Sequence, residues 1–158
     1  MAAAAALLVG CRIAVGAGAG PVPEEARRVA LVATLERSVV LVIAEGKSVS
    51  HARDRLSLEP AESLGTGLVI SADGLILTAA HVVEEAQRIR VKVGETELGA
   101  ARTVFADEEA DIALLRLQEP PSALQVATLG DSDGVRKGET VYVIGNPVGL
   151  ERSLSMGV

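Results

Sequence analysis

The 158-residue sequence predicts an all-β fold, a sandwich or a barrel, on three observations. Short apolar runs of strand length recur at close spacing, separated by Gly, Pro and Asp turn chemistry. No helical periodicity dominates after residue 37. Phe105 and Tyr142 are the only aromatics, so the core has to be built from Val, Leu, Ile and Ala, whose β-branched share favours strands. The length leaves room for one domain.

Charge and cysteine content narrow the function. A net charge of −6 speaks against a nucleic-acid surface, which needs clustered Lys and Arg, and there are almost no aromatics on which bases could stack. Cys11 is the single cysteine, so an intrachain disulfide and a cysteine-rich zinc site are both excluded. With two histidines, a histidine-based metal centre is not expected. No cofactor is implied.

The chain opens with an Ala-rich apolar run that leads into Leu8-Val9-Gly10-Cys11, the pattern after which bacterial lipoprotein signal peptides are cut and lipidated. Cys11 would then be the membrane anchor. No Lys or Arg precedes the run, so a fortuitous leader with a free thiol is the competing reading. A transmembrane span is disfavoured, because Arg12 interrupts the stretch and spanning needs about 20 apolar residues. Residues 1–11 are thus read as lipoprotein signal and anchor, and residues 12–22, with GAGAG at 16–20, as a flexible linker.

Pro23-Glu24-Glu25 predicts a helix start, since proline fits the first turn and the two acids complement the helix dipole. This helix should run to about Arg37, with Val29, Leu31, Val32 and Leu35 forming a ragged apolar face. Residues 38–44, SVVLVIA, form a continuous apolar run, as expected of a strand buried on both faces. Residues 47–63 are polar and contain Pro60, and they read as an exposed loop in which His51 is a solvated surface residue.

The stretch 65–83, GTGLVISADGLILTAAHVV, predicts a β-hairpin: strand 66–71, a turn at Ala72-Asp73-Gly74, and strand 75–78. It sets His81 where the second strand gives way to a loop or a short helical turn. Residues 87–93 alternate as a half-buried strand should, and Gly94-Glu95 turns into a strand over 98–105. An acidic loop covers 106–110. Asp111 opens the strand 112–117, which Pro120 and Pro121 end. Residues 126–129 and the turn LGDSDG lead into a strand over 139–144, and Gly145-Asn146-Pro147 turns the chain towards a last strand over 153–158. Val141, Val143, Leu154 and Met156 are expected to share the apolar face of this final hairpin.

Two tempting motifs fail. Gly46-Lys47-Ser48 looks like the end of a phosphate loop, but Leu41 stands where its first glycine is required. Asp131-Ser132-Asp133-Gly134 looks like a calcium loop, but Val135 and Arg136 occupy the positions of the third ligand and the turn glycine.

His81 and Asp111 lie 30 residues apart, each at the edge of a strand. A histidine acting as general base needs a partner that fixes its tautomer and steadies its positive charge, and a carboxylate on a neighbouring strand end can do both. Spacing alone favours a plainer reading, in which His81 packs at a strand end and Asp111 caps a turn. The surrounding sequence reverses that preference. GTGLVISADGLILTAAHVVEEAQRIRVKV, ADIALLRL and VATLGDSDGVRKGETVYVIGNPVGL together resemble the trypsin-like serine proteases of the HtrA/DegP type, from about residue 38 to residue 158.

That resemblance implies two perpendicular β-barrels with a catalytic cleft between them. His81 matches the family's general base and Asp111 the acid that orients it. The nucleophile has no counterpart here. In the family it is a serine in a Gly-Asn-Ser-Gly-Gly type motif, whose backbone N–H groups also form the oxyanion hole. Ser122, Ser132, Ser153 and Ser155 lack such glycine neighbours.

The expectation is therefore a trypsin-like domain over 23–158 that is incomplete at its C-terminus. It would comprise a short N-terminal helix, the first barrel and the first hairpin of the second. In complete form it would be an extracytoplasmic serine endopeptidase of the periplasm or cell envelope, acting on unfolded or misfolded proteins; the chain by itself would be inactive. A homo-oligomer is compatible with the sequence. The competing function is a non-catalytic, protease-like module that binds peptides or a partner along its strand edges.

Overall fold

A computed structural model of the chain describes residues 23–52, 55–146 and 153–158. Cys11 and the 16–20 linker lie outside the described residues. Helix α1, Glu24–Leu35, begins after Pro23 with Glu24 and Glu25 in its first turn, and buries none of its residues. Val29 is fully on the solvent side, whereas Leu31, Val32 and Leu35 are half-buried. Ser38 closes the helix: its N–H and its hydroxyl both donate to the Leu35 carbonyl.

Six antiparallel strands follow: β1 (Val39–Ala52), β2 (Arg55–Val69), β3 (Leu75–Thr78), β4 (Ala86–Val93), β5 (Thr96–Asp107) and β6 (Ile112–Leu117). They close into a barrel in the order β1-β2-β3-β6-β5-β4. The short helix α2, Ala80–Val83, sits between β3 and β4. The interior is aliphatic, with Val40, Val42, Val69, Ile76, Val91 and Leu115 at 0–1 % exposure. The 38–44 run is buried on both faces, as expected. Its Val40, Val42 and Ala44 enter the barrel core, while Val39 joins Leu68 and Ala127 in a second cluster against which Ile70 and Ile144 pack.

Turn chemistry sets the β2–β3 connection. Gly74 adopts φ +84°, a left-handed conformation that glycine tolerates, and a Cβ there would also meet Pro120 Cβ at 2.9 Å. Strands β3 and β6 begin and end where the sequence predicts; β5 is longer than predicted and takes in Ala106 and Asp107.

Residues 47–63 are not a loop. The β1–β2 pairing continues without a break from Val39 opposite Leu68 to Ala52 opposite Arg55. Strand β4 accompanies β1 only as far as Gly46, where a bulge interrupts their register. Beyond that point the two strands form a ribbon outside the barrel. Such a ribbon is held by its ladder of backbone hydrogen bonds, which needs no alternating hydrophobic pattern in the sequence.

The remaining pair, β7 (Val141–Gly145) and β8 (Ser153–Gly157), forms a separate two-stranded sheet. Its faces differ from the predicted ones. Tyr142 stands opposite Met156 and Ile144 opposite Leu154, so Leu154 and Met156 share a face with Tyr142 and Ile144. Val143 is opposite Ser155 on the other face, together with Val141. Cross-strand partners lie on the same side of a pleated sheet, and the register is decided by pairing rather than by apolar content. Ala127 donates its N–H to the Val69 carbonyl (2.8 Å), and otherwise the segment 126–129 carries no strand pairing.

Candidate active site

His81 is delivered by the step from β3 into α2. Thr78, the last residue of β3, is buried and donates its hydroxyl to the Thr66 carbonyl at 2.8 Å. Ala80, Val82 and Val83 face inwards and anchor α2, which leaves His81 facing outwards with half of its side chain exposed.

Asp111 arrives at the head of β6, the strand that pairs with β3. Asp107, at the end of β5, accepts the Ala110 N–H through its carboxylate (2.9 Å), and this caps the turn before Asp111. Asp111 itself takes φ +52°, the left-handed region that Asp tolerates better than most residues, and the chain then enters β6 with Ala113 and Leu115 fully buried. Because Thr78 pairs with Ala113 across β3 and β6, the residues just beyond these two positions are brought side by side.

The resulting geometry is tight. His81 Nδ1 lies 2.8 Å from Asp111 Oδ2 and 3.0 Å from Oδ1. The His81 backbone N–H donates to Oδ1 at 3.0 Å, so one carboxylate holds both the ring and the backbone of the same residue. The Asp111 carboxyl is held below its ordinary value of 3.8, first by that backbone N–H and then by the ring. An ionised carboxylate can only accept. Nδ1 therefore carries the proton, and Nε2 keeps the lone pair a base requires.

Beside His81 runs a cleft of about 260 Å³, walled by Ser63, Val82 and Glu85 among others. A larger hollow of about 650 Å³, between Glu45, Pro60 and Arg88, does not include His81 in its lining. Among the described residues no group of three or more His, Cys, Asp or Glu could hold a metal ion, and no helix is long and apolar enough to cross a membrane.

Of the residues singled out in the sequence, His81 and Asp111 come together. Ser122 lies in an exposed turn, Ser132 in a 3-10 turn at Ser132–Gly134, and Ser153 and Ser155 in β8. Cys11 lies outside the described residues. Sequence reasoning missed the Asp107 cap and the His81 backbone donor. A carboxylate four residues before Asp111, at the end of an apolar strand, is the signal that could have suggested the cap.

The fold and this pair define the class. Residues 65–158, more than half of the chain, match the trypsin-like peptidase domain, and the chain belongs to that family. Its relatives within it are of the HtrA/DegP type. The chain is 37 % identical over 101 residues to the periplasmic pH-dependent serine endoprotease DegQ of Escherichia coli (strain K12), a match covering 63 % of this chain and 22 % of that protein. It is 40 % identical over 98 residues to a probable periplasmic serine endoprotease DegP-like of Ectopseudomonas mendocina (strain ymp), covering 62 % and 20 %. The solved structure of the HtrA-type protease AlgW with tripeptide superposes with a TM-score of 0.67 at 30 % identity, over 80 % of this chain and 37 % of that one. The chain thus spans about a fifth of the length of the sequence relatives it matches.

Proposed function

We propose that the complete protein is a serine endopeptidase of protein quality control, hydrolysing unfolded or misfolded chains through an acyl-enzyme. The observation that carries this reading is the 2.8 Å contact between His81 Nδ1 and Asp111 Oδ2. With Nδ1–H held by the carboxylate, His81 Nε2 takes the proton of the attacking serine hydroxyl and later delivers it to the leaving amine. Asp111 keeps the ring in that tautomer and stabilises the imidazolium that forms. Peptide-bound AlgW among the structural neighbours supports a polypeptide substrate.

The nucleophile is proposed to come from outside this sequence, because no serine here has adjoining glycines to make an oxyanion hole. A fluorophosphonate probe is accordingly expected to leave the isolated chain unlabelled and to label one serine of the complete product. Stoichiometric labelling of the isolated chain would overturn the missing-nucleophile argument. A full-length native product with no turnover and no labelling would instead establish the peptide-binding module.

The periplasmic location named for the relatives supports an extracytoplasmic setting. Residues 1–11 as signal and anchor, 12–22 as tether and the protease domain from 23 onwards complete the proposed arrangement. Mass spectrometry of the membrane fraction is expected to find a lipid adduct on Cys11 that disappears in Cys11→Ser. Assembly into a homo-oligomer is open to sedimentation of the complete protein.

A further inference from the structure

Thr66 lies where the barrel, the strand leading to His81 and the β7–β8 hairpin meet. Its carbonyl accepts the Thr78 hydroxyl at 2.8 Å, three residues before His81. Its own hydroxyl oxygen accepts the Asn146 backbone N–H, also at 2.8 Å, directly after β7. Thr78 is 3 % exposed and Asn146 4 % exposed, so both bonds are partly shielded from water.

The residues on either side explain why this hydroxyl is held in place. A Cβ at Gly65 would lie 2.5 Å from Val82 Cγ2, on the helix that carries His81. A Cβ at Gly67 would lie 2.8 Å from Ile76 Cγ2 and 2.9 Å from the Cγ2 atoms of Val40 and Val42. The two glycines let the backbone press against α2 on one side and the core on the other, which leaves Thr66 little freedom to shift.

We propose that Thr66 is a joint between the two sheets, holding the β7–β8 hairpin against the barrel at a set offset from His81. This rests on reading His81 and Asp111 as base and orienting acid. The Thr66 hydroxyl oxygen is the acceptor of the Asn146 amide itself, so removing it should loosen that amide more than the amides inside the barrel. Threonine suits the role because its main chain serves the His81 side while its side chain serves the hairpin side, and both are rigidly linked through one Cα.

Amide hydrogen exchange by NMR on the chain tests this without any need for turnover. In Thr66→Val, which keeps the shape but loses the acceptor, the Asn146 amide is expected to exchange about fivefold to tenfold faster. The Val91 and Leu115 amides should be unchanged. Thr66→Ser, which restores the hydroxyl, should return Asn146 to within about twofold of wild type. If Thr66→Val does not fold, Thr66→Ser against Thr66→Cys makes the same comparison, oxygen acceptor against weak sulfur acceptor, with faster exchange expected for Cys.

Unchanged Asn146 protection in Val, equal acceleration across the barrel, or a Ser variant that behaves like Val would each overturn the joint. The imidazole ¹⁵N shifts of His81, recorded on the same samples, test the other reading separately. An Nδ1-protonated pattern is expected in the wild type and in Thr66→Val. Its absence from the wild type would sink the base and acid assignment, whereas a still-protected Asn146 would sink only the joint.

Discussion

The barrel and the β7–β8 hairpin are built from the same kinds of residue and differ in what they do with them. In the barrel every strand has two paired neighbours, and Ile76 and Leu115 are sealed from water. In the hairpin each strand has one partner, and Leu154 and Met156 are 48 % and 65 % exposed. Closure, more than composition, turns apolar side chains into stability, because an aliphatic side chain contributes only to the extent that it leaves water. His81 and Asp111 both stand on the closed part, so their geometry does not depend on the hairpin.

That contrast can be broken most sharply at the site. Asp111→Asn is expected to leave the barrel folded and, if the proposed function holds, to lower kcat of the full-length product by about 10⁴-fold, because an amide no longer enforces the reactive tautomer. Steady-state kinetics on an unfolded protein substrate measures it, and a loss below tenfold would contradict the role given to Asp111.

Next come the cores. Leu115→Ala is expected to cost about 2–5 kcal/mol in urea unfolding, since the side chain is fully enclosed and a cavity would replace it. Met156→Ala on the hairpin should stay within about 0.5 kcal/mol. Equal costs would mean that the hairpin is as well packed as the barrel. Gly67→Ala should destabilise by about 1–3 kcal/mol, because the new methyl meets three core methyl groups at 2.8–2.9 Å.

The smallest effect concerns pH. The Asp111 carboxyl is held below 3.8 in the folded chain, so its contribution is fully present above that value and is lost as pH falls through the lower, folded one. Asp73 is held down in the same way, chiefly by Arg116, and contributes its own acid limb. The difference in unfolding midpoint between wild type and Asp111→Asn should therefore shrink as pH drops below 3.8, which thermal scans from pH 6 to pH 2 would follow.

Much of this architecture was legible in the sequence. Strands β3 and β6 were readable to the residue because turn formers and charges bound their apolar runs. His81 and Asp111 were singled out by the motifs around them, and the fold brings the two side chains together. The ribbon at 47–63 was not, since hydrogen-bonded pairing holds it and leaves no hydrophobic period behind. The hairpin faces were misassigned for a related reason: alternation says which residues of one strand share a face, but only the register says which residues of its partner join them. The left-handed Asp111 and the Thr66–Asn146 bond depend on elements distant in sequence, and local propensity carries no trace of them.

The ribbon beyond Gly46 has a consequence for how the chain can change. Among the described residues its rungs pair with each other, and the bulge at Gly46 separates them from the strands that enclose the core. Adding or removing one residue from each strand keeps the ladder in step and disturbs nothing inside, and a longer connection at the tip adds only a logarithmic entropy cost. This arm can therefore vary in length while the barrel stays constant, a natural place to graft a reporter or a foreign hairpin within reach of the cleft beside His81.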